Sequence, residues 1–152
     1  MRRNARESVY KLLFSNQFND KFSDDFKYFI YLEDKLGESD IEFANQILDA
    51  FLQNEEEING IISNISKGYK LERIYSTDKC AIQIAITEMG YLKDIPHIVS
   101  INEALELVRK YSTPESPNFV NGILAEYKKR IEGELWQLYL TEKNTLLNLE
   151  KN

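Results

Sequence analysis

The 152 residues contain one cysteine, one histidine, three prolines and six glycines. Each shortage excludes something. A lone Cys80 forms no internal disulfide and no cysteine-rich zinc site. It lies in an apolar helical stretch and reads as a buried, inert thiol. The single histidine, His97, directly follows Pro96, and no serine sits in a nucleophile-elbow context, so no triad assembles. Asp94 lies close by, but no third metal ligand is evident. The glycines are isolated, which leaves no phosphate-cradling loop and no dinucleotide fingerprint. No run of about eighteen apolar residues is available to span a membrane. The charged start is not followed by an apolar h-region, so no secretory signal is expected and the expected location is cytoplasmic. Period-two alternation of β-branched residues is scarce, which predicts an all-α chain. An excess of positive charge is also missing. The net charge is −6 and the pI about 4.9, against a generally basic nucleic-acid surface. Abundant acid pairs read as solvated helix faces. Neither an enzyme nor a cofactor is indicated.

What is present is enough apolar residue, 43%, for one domain with a real core. Charge is unevenly placed. Arg2, Arg3, Arg6 and Lys11 oppose only Glu7 in the first eleven residues, a balance of +3, so the rest carries −9. Ala5, Val9, Leu12 and Leu13 predict a first helix over Ala5–Phe18. Cations before a helix N-terminus oppose its dipole, so the arginines serve either a polyanion or a solvated tail.

A loop over Asn19–Asp25 precedes a predicted helix from Phe26 to Leu36, capped by Gly37. Ser39 and Glu42 suggest a capping box before the Ala44, Ile47, Leu48, Phe51 stripe. Asn54 is the expected cap of a helix bearing Ile58, Ile61, Ile62 and Ile65, stopped by Gly68. Tyr69–Tyr75 reads as a connector. Ser76 or Thr77 caps a helix carrying Ala81, Ile82, Ala85, Ile86 and Met89, apolar along one side and expected at the centre.

Ser100–Leu124 is the most informative stretch. Ser100 and Glu103 have capping-box spacing, and Ala104, Leu107, Val108 and Tyr111 follow at helical spacing. Ser112-Thr113-Pro114 stops that helix, and Pro117 restarts another, with Val120, Ile123, Leu124 and Tyr127 on its buried face. Phe119 stands at the mouth of the second helix beside Asn118 and Asn121. Such a group stacks a base or binds a phosphate, or else Phe119 only anchors the loop. Lys128-Lys129-Arg130 suggests a helix C-terminus. Leu135, Trp136, Leu138, Tyr139, Leu146 and Leu149 predict a last helix, continuing across Gly133 or separate. That much apolar surface must dock on the body or on a second subunit.

Three segments carry a resemblance. They are Arg2-Arg3-Asn4-Ala5-Arg6-Glu7, then Leu71-Glu72-Arg73-Ile74 with Asp78 through Ala85 and Glu88. The third is Ile95-Pro96 with Ile101-Asn102-Glu103-Ala104-Leu105-Glu106-Leu107 and Phe119-Val120-Asn121-Gly122-Ile123-Leu124. In this order and spacing they resemble the NusB family of bacterial transcription antitermination factors. The likeness covers roughly residues 2–131. It implies a compact all-helical bundle of about seven helices in two small subdomains, with residues 1–131 as the RNA-binding domain and 132–152 as an extra C-terminal helix. It implies a non-enzymatic role: binding boxA RNA with the ribosomal protein NusE, chiefly in ribosomal RNA operons, and joining RNA polymerase and other Nus factors against premature termination. By position, Arg2, Arg3, Arg6, Phe14, Phe119 and Asn121 would face RNA. Asp78, expected to be exposed, and Glu88 would face NusE. Asn4, Gln83 and Asn118 stand where cations are common in the family, so RNA affinity of the chain alone is expected to be low, with NusE supplying charge. An interaction module without its own RNA binding is the alternative. Some RNA cytosine methyltransferases carry a similar helical domain, but this chain lacks their cofactor loop. Monomer and homodimer both stay open.

Overall fold

Apolar residues at helical spacing build seven α-helices among the described residues of the computed structural model, which are 2–18, 21–67 and 70–151. They are α1 (Arg2–Phe18), α2 (Asp24–Glu33), α3 (Glu38–Gln53), α4 (Glu55–Ile65), α5 (Ser76–Tyr91), α6 (His97–Tyr111) and α7 (Ser116–Glu150). A 3-10 turn covers Leu71–Arg73, and no strand occurs among these residues. The expected all-α architecture is present. The expected stop at Gly68, and Asn19, Asp20 and Tyr69 of the expected loops, lie outside the described residues.

Helix α5 is the centre, as expected, but it is more deeply enclosed than a one-sided stripe implies. Cys80 through Met89 are all buried, the mark of a helix surrounded by others. It packs against α1, α3, α4, α6 and α7. Helix α1 also packs on α2 and α3, and α7 on α4 and α6, and both groups share one contiguous core. Gly90 lets α7 close in: a Cβ there would stand 2.6 Å from the Tyr127 hydroxyl. Burial pushes the Cys80 thiol up to about 12, which fits an inert core residue.

Several expected helix ends move. Helix α2 ends at Glu33 rather than Leu36. Lys35 takes a left-handed φ of 56°, and the Lys35 and Leu36 amides return to the Leu32 and Tyr31 carbonyls, a Schellman ending. Gly37 is instead the N-cap of α3. Ser39 falls inside the first turn and makes no capping box. Asn54 does sit at the N-cap of α4, but its side chain donates to the Ala50 carbonyl. Tyr75, not Ser76 or Thr77, holds the N-cap of α5. Helix α6 starts at His97 behind Pro96, whose φ of −58° suits a helix entry, so the Ser100/Glu103 box does not form. Lys128-Lys129-Arg130 lies mid-helix, because α7 continues unbroken through Gly133. Its 35 residues span about 52 Å at 1.5 Å per residue. Beyond Ile131 nearly every residue of it is exposed. No helix among the described residues is long and apolar enough to cross a membrane.

Candidate nucleic-acid interface

Long side chains link α1 to α6 through charged pairs. The first turn of α1 presents Arg2, Arg3 and Arg6, and only two of the three face outward. Arg2 is exposed and sits 4.4 Å over the Phe43 ring. Arg3 is exposed and makes a bidentate pair with Glu103, both bonds 3.0 Å. That pairing, helped by the Arg3 hydrogen bond first and its charge second, holds the Glu103 carboxyl below its ordinary value against partial burial.

Arg6 corrects the reading of an outward arginine cluster. It is buried, and its guanidinium grips Glu88 with bonds of 2.8 and 2.7 Å. Ser100 donates to the same carboxylate at 3.0 Å. Glu88 is fully buried, so it does not present a surface to any partner. Asp78 is corrected likewise. It is 3% exposed and accepts from Ser112 at 2.6 Å. Ser112 also meets Thr77 and Ser116, which tie the α6–α7 turn to the start of α5. Both acids organise the interior because each has hydroxyl or guanidinium partners that satisfy a buried charge.

One turn along α1, Glu7 meets Lys110 at 2.6 Å and the Tyr111 hydroxyl. Burial would raise the Glu7 carboxyl, but these two bonds outweigh it and lower it. Tyr10 stacks on Tyr111 at 5.2 Å and donates to the Thr77 carbonyl. Phe14 follows on the next turn, partly exposed and 5.1 Å from Phe18. A cleft then opens between the start of α5 and the start of α7. Arg73, Tyr75, Asp78, Thr113, Ser116 and Phe119 line it, around a volume of about 360 Å³. Tyr75 is exposed. Asn121 is exposed one turn into α7.

Arg3, Glu7, Tyr10 and Phe14 thus form a line on α1, joined through Tyr111 and Thr77 to the Phe119 cleft. It is about 16 Å from Arg3 to Phe14 along the helix. Cations stand at one end and aromatics at the other. The structure brings Arg3, Phe14 and Phe119 onto one strip, turns Arg2 aside toward Phe43 of α3, and places Asn121 beyond it. Arg73 and Tyr75 join the cleft unforeseen as site residues. Their sequence signal was a cation and an aromatic in the connector ahead of α5. Among the described residues no group of three or more histidine, cysteine, aspartate or glutamate side chains is placed to hold a metal.

A sequence model of the NusB family matches residues 3–129. The chain belongs to the NusB family. The transcription antitermination protein NusB of Alkaliphilus oremlandii is 40% identical over 126 residues, covering 83% of this chain and 91% of that protein. T. maritima NusB has the same fold, with a TM-score of 0.76 and 30% identity over 85% of this chain and 91% of that one. A structure of the antitermination factors NusB and NusE in complex with dsRNA aligns with a TM-score of 0.77. Its identity is 22%, over 85% of this chain and 96% of that one, and it speaks to the fold. Residues beyond 129, including the exposed part of α7, lie outside the family match.

Proposed function

We propose that this NusB-family protein is a transcription antitermination factor that binds boxA RNA together with NusE, chiefly in ribosomal RNA operons. With RNA polymerase and the other Nus factors it then suppresses premature termination. The observation that carries this is the strip from Arg3 through Phe14 to the Phe119 cleft, with Arg2 exposed on the neighbouring face of α1. Cations engage phosphates and aromatics stack unpaired bases, the usual division of labour on single-stranded RNA. The names of the related proteins, and the NusB–NusE–dsRNA complex of the same fold, support the reading. Residues 1–131 carry this activity, and 132–152 form an extension.

In this reading Arg2 and Arg3 contact phosphates, Phe14 and Phe119 meet bases, and Asn121 adds a polar contact. Arg6, Asp78 and Glu88 position the strip from inside. NusE docks on exposed residues of the acidic body, where opposite charge steers association. The alternative without intrinsic RNA binding draws on one observation: Arg3 and Lys110 are already neutralised by Glu103 and Glu7.

The test is fluorescence anisotropy with boxA and scrambled RNA, with and without NusE, at two salt concentrations. Selective binding that strengthens with NusE and falls in Arg2→Ala/Arg3→Ala supports the proposal. Phe119→Ala should cost about 1–3 kcal/mol, the loss of one stacked base. Glu103→Gln should strengthen binding up to about fivefold, since it releases Arg3 from a surface pair worth at most about 1 kcal/mol. Equal binding to scrambled RNA, or none even with NusE, rejects it in favour of the interaction module.

A further inference from the structure

Lys128-Lys129-Arg130 has no helix end to stabilise, because α7 runs straight through it. Lys128 pairs with Glu132. Lys129 is exposed and lies two turns beyond Gly122, on the same face of the helix. Arg130 donates to Glu126 at 3.1 Å and reaches across to Asn64 of α4 at 2.6 Å. An open groove of about 500 Å³ runs between this face of α7 and the end of α4. Ser66 and Lys67 line one side, Asn118, Gly122 and Arg130 the other, and Phe119 forms part of the wall. The space beside Gly122 is clear, since a Cβ there would meet nothing within 4 Å.

Phe119 therefore borders two clefts, with Arg73 and Tyr75 in one and Lys67 and Arg130 in the other. The charge of the second cleft runs against that of the chain. Lys67, Lys129 and Arg130 meet only Glu126, three cations less one acid, a balance of +2 on a protein of net charge −6. Glu126 is already paired with Arg130, and Lys67 and Lys129 are exposed. Cations beside an aromatic ring suit a single strand, the cations on its phosphates and the ring under a base. An acidic peptide would answer the charge as well. Continuity favours RNA, because a strand held at Phe119 is delivered to the groove at high effective concentration.

We infer that the groove between α4 and α7 holds unpaired RNA flanking boxA, with Lys67 and Lys129 on its phosphates and the strand passing over Phe119 from one cleft to the other. The inference rests on the RNA reading above and extends it. The α1 strip and the Phe119 cleft engage boxA, and the groove engages the neighbouring single strand through its backbone, without reading its sequence. It adds phosphate contacts where the strip is short of them, since Glu103 already neutralises Arg3.

Anisotropy titrations of the full chain with NusE test it, comparing boxA RNA alone with boxA extended at either end by a short run of unpaired uridines. Extension at one end should strengthen binding about tenfold, the effect of one charge-assisted phosphate contact. It should also steepen the salt slope by about 1.4, for two phosphates at roughly 0.7 each. Lys67→Ala/Lys129→Ala should abolish that gain while boxA alone binds as before, and Lys67→Arg/Lys129→Arg should keep it. Gly122→Leu, whose side chain enters the open groove, should abolish it too. Far-UV circular dichroism checks that each variant is folded. A uridine oligomer without boxA reads the groove by itself, and it should bind the wild type weakly and Gly122→Leu more weakly still. If boxA fails to bind while the oligomer remains sensitive to Gly122→Leu, the boxA reading falls and the groove stands. No gain from either extension, a gain that survives both variants, or an oligomer indifferent to them overturns the inference and leaves an acidic protein segment as the occupant.

Discussion

At the residue scale, the Arg6–Glu88–Ser100 cluster is the most consequential unit. A buried bidentate pair is stabilising only while both partners remain. Glu88→Ala should cost about 3–5 kcal/mol in urea denaturation, because Arg6 is left charged and buried. Arg6→Met/Glu88→Leu should fall much closer to the wild type, since it removes both charges together. Arg6→Ala should weaken RNA binding through loss of folded protein, leaving the salt slope of the remaining binding unchanged. The surface pairs give a pH signature. The Glu7 and Glu103 carboxyls are held below their ordinary value of 4.5. A lowered carboxyl adds stability that is complete above the unfolded value and is lost as pH falls through the folded one. Urea midpoints should therefore hold steady above about pH 5.5 and decline as acid protonates these groups. The burial of Arg6, Asp78 and Glu88 was not legible in the sequence. Glu88 meets its partner 82 residues away, and no local pattern records that.

At the element scale, helix existence followed from apolar spacing, while helix ends did not. Ser39, Ser76 and Ser100 look like caps, yet each lies inside a helix that begins earlier or at that residue. The hydroxyl of Ser100 is drawn instead to a buried carboxylate. Lys35 does what Gly37 was expected to do, in a conformation that costs an L-residue roughly 1 kcal/mol or more. Lys35→Gly should therefore raise stability by about 1 kcal/mol, seen as a rise of about 2–4 °C in the thermal midpoint. Helix α7 continues through Gly133 because one helical glycine costs only about 1 kcal/mol relative to alanine, too little to break a long helix.

At the scale of the whole molecule, a short basic strip sits on an acidic body. Few cations on the strip are outward and accessible, so few counterions leave RNA when it binds. Arg2 and Arg3 alone would give a slope of log affinity against log salt of about −1.4 on single-stranded RNA. Adding NusE should steepen that slope if the basic partner shares the phosphates. Anisotropy titrations over a salt series read both values.

Composition and period by themselves determined the all-helical class, the central place of α5 and the break at Ser112–Pro114, because burial of apolar faces is periodic and local. The arginine-rich start and the Phe119 segment, through their resemblance to NusB, pointed to the strip. Tertiary structure alone decided which charges are surface and which are interior. It also decided where helices begin, and it drew Arg73 and Tyr75 to Phe119. Those outcomes depend on groups far apart in the chain, whose electrostatic and packing energies exist only once α1, α5, α6 and α7 are assembled.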